Sequence, residues 1–392
     1  MARDSERSHF RITSPWHGDV LNLHDGRETT DSLVVNVSGA APKGAAVTVN
    51  GTAAEIRGGS FQCPVTIRRR RTEISAVCRA EGAEHTDTIT VLWDKASRPR
   101  YRLSVDDNIQ FLKDLGTTPD DYPSLFDHWY LSFWRQMHEE FGAKIHINIY
   151  YQDEQRGQSP PRSSAVAAPP PGPSNDFTLA RLPAKWKGEW EANAGWLRLS
   201  FHALQDQPDR PYEKATYDQI AHDFDLVTAE IDRFAGKAVM GPTTTVHWGS
   251  APKDACRALH DRGIRVLIGI FRREFDGKCI SGYYLPDDVK DHADERDAVY
   301  DPETDLLFVT EDATVNNLRV DEVVPWLERQ AGNPHTGQLM ELLIHEQYFR
   351  RDLPHFQPDV QEKVIRALRW VTEHGYEPVF WGDGFLGNEA RV

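Results

Sequence analysis

Four cysteines in 392 residues are too few to staple a small disulfide scaffold. No run reaches the 18 or more apolar residues that a membrane-crossing helix needs. Basic charge is also short: 45 Lys and Arg stand against 60 Asp and Glu, a net charge of −15. A field of that sign repels a phosphate backbone or an anionic bilayer, which argues against nucleic acid and membrane partners. No G-x-S-x-G elbow, glycine-rich phosphate loop or paired C-x-x-C is present, which sets aside serine hydrolases, nucleotide enzymes and zinc ribbons. The opening MARDSERSHFRITSP carries charge but no apolar core, so as given the chain has no secretory signal, and a cytoplasmic location is expected unless a leader has been removed.

What is present in quantity is aromatic: 11 Trp, 12 Tyr and 17 Phe, a load that suits sugar platforms as well as an ordinary core. The length suits two domains. Residues 10–95 alternate apolar and polar in short runs, SLVVNVSG, AAVTVNGTAAEI, SFQCPVTI, TEISAVCRA and DTITVLW, with Gly, Asn and Pro between them and no helical period. That pattern predicts a small antiparallel sandwich, and VTVNG followed by GGSFQCPV resembles bacterial immunoglobulin-like modules. The basic block Arg68 to Arg71 reads as a hairpin tip, which would set Cys63 and Cys78 opposite one another across a ladder, either joined or as free thiols. DKASRPR, 94–100, reads as a linker.

From Tyr101 the texture changes to strand-like runs alternating with helix-period segments. Strands are predicted at 101–107, 144–151, 196–204, 243–248, 265–271, 340–346 and 376–381, and helices at 127–141, 216–235, 252–262, 321–330 and 359–374. Seven such units predict a distorted (β/α)7-type barrel over 101–392, with a doubly wound open sheet as the competitor. The Pro- and Ser-rich tract 157–176 reads as a surface excursion or a lid.

In a parallel barrel the reactive groups gather at the strands' carboxyl ends. The first predicted strand ends in the adjacent carboxylates Asp106 and Asp107, whose mutual repulsion raises one pKa unless a cation or a catalytic duty accounts for it. The second carries His146, Asn148 and Tyr150 on one face; the third ends in His202, the fourth in His247 and Trp248, the sixth in His345 and Glu346, the last in Trp381 and Asp383. A divalent metal held by nitrogen and oxygen ligands would offset the carboxylate repulsion and leave one carboxylate free as a base.

LSVDDN, WLRLSFHALQDQPDRPY, TTTVHWGSAP and ELLIHEQYF, in that order, resemble the polysaccharide deacetylase (NodB-type) superfamily of metal-dependent carbohydrate esterases, over roughly residues 101–383. The resemblance implies Asp106 as base, Asp107 and His202 as metal ligands and His345 as the acid that protonates the leaving group. That superfamily places a second histidine four residues after the first; here Asp206 stands there. Either Asp206 is an oxygen ligand, or His247 reaches in from the next strand, or the metal is lost. Two nitrogens with one oxygen suit zinc or cobalt, and one nitrogen with two oxygens tilts toward manganese.

The expected function is removal of an N- or O-acyl group from a poly- or oligosaccharide. Glycosidic cleavage by Asp106, Asp206 and Glu346 is the second reading, and a non-catalytic carbohydrate-binding protein the third. Arg210 and Tyr212, in PDRPY, could hold a substrate carboxylate of a uronic or sialic acid, and Trp248 and Trp381 could stack on sugar rings. Trp186, Trp190 and Trp196 read as core as readily as platform. A homo-oligomer stays open.

Overall fold

The computed structural model describes residues 10–80, 82–153, 177–271 and 281–381. The Pro- and Ser-rich tract at 157–176 and Asp383 lie outside these residues. Among those described, no helix is long and apolar enough to cross a membrane.

The alternating N-terminal runs form two facing β-sheets. One runs Arg11–Ser14, Leu33–Ala40, Ser60–Ile67, Glu55–Arg57, with Gly26–Glu28 on its second strand; the other runs Val20–Leu21, Ala83–Trp93, Arg71–Ala80, Ala46–Val49, Thr52–Ala53. Period-two burial turns Leu33, Val35 and Val37 inward on one strand and Phe61, Cys63, Val65 and Ile67 on the next, so the two inner faces meet around one apolar core.

The expected hairpin at Arg68 to Arg71 is corrected. Ser60–Ile67 and Arg71–Ala80 belong to different sheets, so the basic block is a crossover that lets each strand offer its apolar face to the common core. Cys63 therefore lies opposite Val37, and Cys78 opposite Val47 and His85. Both thiols are free and buried, and burial pushes both pKa values up.

The second region is α/β. One sheet is parallel, in the order Leu197–Ala203, Ile145–Tyr150, Arg100–Asn108, Leu339–His345, Ala313–Thr314, with Glu377–Pro378 also on Arg100–Asn108. A second sheet runs Thr243–Thr245, Val266–Ile270, Leu306–Thr310 in parallel, then Ala298–Asp301 antiparallel. The parallel strands thus fall in two hydrogen-bonded sheets rather than one closed ring. Side chains join them at one seam, where Ser200 and Thr244 share a hydrogen bond and Thr244 donates to the Phe201 carbonyl.

Helices Trp129–Phe141, Tyr217–Phe234, Lys253–Asp261, Val323–Ala331 and Val360–Glu373 stand where the 3.6-residue period predicted them. Helices Gln110–Thr117 and Asp287–Asp294 and the hairpin Ala298–Asp301 with Leu306–Thr310 are additional. The predicted strand at 376–381 shrinks to Glu377–Pro378, and that at 243–248 stops at Thr245, where a turn begins. A further apolar cluster joins Val20 and Leu92 of the sandwich to Val266, Ile268, Tyr300 and Trp381.

Candidate metal centre

Two strand irregularities aim the chemistry. The ladder between Arg100–Asn108 and Ile145–Tyr150 passes from Val105 opposite Ile147 to Asn108 opposite Ile149, one residue too many on the first strand. Asp107 absorbs that bulge with φ +62°, a left-handed conformation that Asp tolerates better than most residues. The extra residue answers why two like charges end this strand: Asp106 keeps the inward alternation, and the bulge redirects Asp107. A second bulge falls at His202, between Ile149 opposite Phe201 and Tyr150 opposite Ala203. His247 follows Thr243–Thr245 in a turn completed by left-handed Trp248 (φ +63°) and Gly249 (φ +54°). A Cβ on Gly249 would lie 2.1 Å from the Gly269 carbonyl oxygen, so the turn requires glycine there.

Asp107 Oδ1, His202 Nε2 and His247 Nδ1 form a triangle with edges of 3.1, 3.3 and 3.1 Å. Three ligands about 2.0–2.1 Å from a shared ion, subtending roughly 100° at it, have edges of this length, so the donor set fits a first-row divalent cation. These three are the candidate metal-binding group among the described residues. His202 Nδ1–H donates to the Thr245 carbonyl (2.6 Å), which leaves the Nε2 lone pair facing the triangle. Tyr150 donates its hydroxyl to Asp107 Oδ1 (2.5 Å) and lies 3.0 Å from His247 Nδ1. Gln347 Nε2 donates to Asp107 Oδ2 (2.9 Å).

When the imidazole nitrogens that face Asp107 carry protons, burial, the largest single effect, still pushes its carboxyl up, but the hydrogen bonds from His202 and His247 and the charge of His345 outweigh it and hold it well below the carboxylate range. Burial likewise works to lower the His202 pKa, and Asp106 and Asp107 together raise it.

Asp106 is buried beside this group. Its Oδ1 accepts from Ser104 Oγ (2.8 Å) and Asn148 Nδ2 (2.5 Å), and Oδ2 makes no hydrogen bond among the described residues. His345 lies at the rim: Nδ1 is 2.9 Å from Asn316 Oδ1 and Nε2 is 4.0 Å from Asp107 Oδ2.

Of the three alternatives for the missing histidine, the geometry favours His247 as third ligand. Asp206 is corrected as a ligand. It faces the opposite ring nitrogen, 3.7 Å from His247 Nε2, and its side chain is 59% exposed, so it borders the imidazole from outside the triangle. Glu346 is corrected as a catalytic carboxylate: it is fully buried and accepts the backbone N–H groups of Ile109, Gln110 and Phe111, capping the otherwise unsatisfied start of helix Gln110–Thr117. Tyr212 is corrected as a substrate contact, because its buried hydroxyl accepts from Leu204 N and donates to Asp223. Trp381 is corrected likewise, buried with its indole N–H on Glu341. His146 lies deeper on the inward face, where Nδ1 accepts from Arg102, and burial holds its pKa well below the imidazole range. Trp186, Trp190 and Trp196 are core.

Arg210 and Trp248 remain at the surface beside the triangle. Sequence reasoning places Asn148 and Tyr150 on one face without a role and misses Ser104 and Gln347; the polar alternation Ser104/Asp106 and Asn148/Tyr150 on strands otherwise apolar is the available signal.

No protein-family model matches the chain, and no curated protein matches it. Among solved structures, the chain is similar to a mutant of a CE4 family pseudoenzyme with restored enzymatic activity, at 9% identity over 78% of this chain and 84% of that one, TM-score 0.29. It is also similar to maltogenic amylase from S. marinus, at 6% identity over 92% and 71% of the two chains, TM-score 0.35. The fibronectin(III)-like modules of Clostridium thermocellum CbhA match 22% of this chain and 98% of theirs, at 16% identity and TM-score 0.18. At these identities and TM-scores none of the three bears on what this chain does.

Proposed function

We propose that the chain is a metal-dependent hydrolase that removes an acyl group, N- or O-linked, from a carbohydrate. The observation that carries this reading is the Asp107, His202 and His247 triangle, with the carboxylate of Asp106 adjacent in sequence and His345 across the site. The order of these residues along the chain, and the LSVDDN and ELLIHEQYF motifs that supply them, support the deacetylase-type assignment.

Asp107, His202 and His247 would hold a divalent ion, and two nitrogens with one oxygen suit zinc or cobalt, with manganese less favoured. Bound there, such an ion supplies Lewis acidity toward an acyl carbonyl and toward a water. Asp106 is the general base: Ser104 and Asn148 fix one oxygen and leave the other to accept a proton from the attacking water. Tyr150 holds Asp107 in its ligating orientation, and the Thr245 carbonyl fixes the His202 tautomer. His345, with Nδ1–H on Asn316, delivers a proton from Nε2 to the departing amine or alkoxide. The glycosidic alternative loses one of its three carboxylates to the helix cap at Glu346 and another to the surface at Asp206.

The test is product analysis on acetylated oligosaccharides with protein reconstituted in zinc, cobalt or manganese. Acetate without new reducing ends, abolished by chelator and restored by the ion, is the expected result. New reducing ends without acetate would show glycosidic cleavage instead.

A further inference from the structure

Arg210 and Trp248 come from two segments next to the metal triangle. Trp248 directly follows the ligand His247, and Arg210 lies four residues beyond Asp206, whose carboxylate borders the His247 ring. The Arg210 guanidinium carbon stands 5.4 Å from the centre of the Trp248 ring. Both residues hold left-handed backbone, φ +54° and +63°, a conformation unfavourable for side chains of this size. Trp248 is also among the few large aromatics left exposed. A left-handed, solvent-facing tryptophan contributes little to the core, and its ring centre stands 6.1 Å from that of His247.

Arg210 belongs with the arginines that make no carboxylate hydrogen bond among the described residues, Arg135 and Arg351 among them, and of these it is the one stacked on the residue that follows His247. In a chain with 15 more acids than bases, Arg262, Arg319, Arg350 and Arg366 each hydrogen-bond a carboxylate with the guanidinium. Arg210 makes no such bond among the described residues: its carboxylate partner, Glu213, stands 3.8 Å away at the limit of an ion pair. Its forked N–H donors, pre-organised for two parallel bonds to a planar anion, are therefore open beside the reaction centre. An indole face with a guanidinium over it offers an apolar surface for a sugar ring and two donors for a carboxylate on that ring.

We infer that Arg210 and Trp248 form a subsite for an anionic sugar, so that the substrate class is an acylated glycan bearing a uronate-type carboxylate next to the acylated residue. This deepens the deacylase reading and rests on it for the reaction, though not for the binding. The carboxylate pairs with the Arg210 guanidinium, and the sugar ring that bears it lies against the exposed Trp248 indole.

The experiment compares an acetylated oligouronate with its methyl ester, which keeps shape and removes charge, on wild type, Arg210→Gln and Arg210→Lys. The readout is the ratio of kcat/KM on acid to that on ester, with KM and kcat separated. Loss of a charge-assisted pair corresponds to about ten- to a hundredfold. The expected ratio is above about ten for wild type, near one for Arg210→Gln through KM, and intermediate for Arg210→Lys, which keeps the charge without the fork. In parallel, calorimetry with the deacetylated oligouronate and its methyl ester reads binding without turnover. No acetate from either substrate, with an Arg210-dependent binding preference for the acid, would refute the deacylase and keep the anionic subsite. A ratio near one in wild type, or one that Arg210→Gln does not move, in both assays, overturns the inference.

Discussion

The sandwich and the α/β region differ in what they bury. The sandwich core, from Ile12 and Leu33 to Val91 and Trp93, is apolar throughout. The inward face of the parallel sheet is ionic and polar: Arg102, Ser104 and Asp106 on one strand, His146 and Asn148 on the next, Ser200 and His202 on the third and Glu341 on a fourth, all buried. Arg102 pairs with Glu341 and donates to His146, while Asn148 joins Ser104, Asp106 and Ser200. Burying such groups is tolerated only when each finds a partner. The polar column costs stability but leads to the carboxyl-end groups that could react; among the described residues the sandwich core holds no such column.

The comparison can be broken first at its chemical end. Asp107→Ala and His247→Ala should each reduce acetate release by more than the roughly 100-fold that outer-shell changes reach, while melting temperature holds within a few degrees. Loss of folding without specific loss of turnover would reduce the column to scaffold. Next in size, Ile74→Ala in the sandwich core should cost about 2–4 kcal/mol in denaturant unfolding, as a cavity in an apolar core does, with the metal affinity of the folded protein unchanged. A drop in metal affinity would show that the two regions share one functional core.

Glu346→Ala should cost about 1–3 kcal/mol by leaving three backbone N–H groups uncapped, and the folded variant should retain its metal. Glu341 sharpens the contrast through pH. Burial, outweighing Arg102 and Trp381, pushes its pKa from 4.5 up to about 7. The carboxyl is thus easier to ionise unfolded, so its contribution is fully present below about pH 4.5, falls as pH rises and is lost above about 7, by an amount on the order of 1–3 kcal/mol. Stability of Glu341→Gln followed by denaturation from pH 4 to 8 should lack this decline, and an unchanged slope would place the titration elsewhere. Smallest, Tyr212→Phe should cost about 1 kcal/mol and leave sugar selectivity alone.

How much of this was legible in sequence follows from the range of the contacts involved. Strand ends and helical periods are local, so Asp106, Asp107, His202 and five helices could be read from pattern. Glu346 could not, because the N–H groups it caps lie 235 to 237 residues away, and nothing near ELLIHEQYF distinguishes a cap from a catalyst. Trp381 reaches Glu341 across 40 residues, and Tyr212 reaches Asp223 across a loop; each aromatic hid a polar handle whose partner only the fold supplies. That Cys63 and Cys78 stand in different sheets is not legible, because alternation fixes which face a residue takes but not which sheet its strand joins. Sequence alone does not choose between His247 and Asp206, since the choice depends on which His247 nitrogen faces which carboxylate: a left-handed turn ending at Gly249 presents Nδ1 to Asp107 and Nε2 to Asp206.

If Asp107, His202 and His247 hold one ion, the protein carries it in fixed proportion to the chain. Elemental analysis of wild type and Asp107→Ala, loaded with zinc and then dialysed against metal-free buffer, tests this most directly. About one ion per chain in wild type and none in the variant is the predicted result. A wild type that retains no ion, or a variant that retains as much, would contradict it.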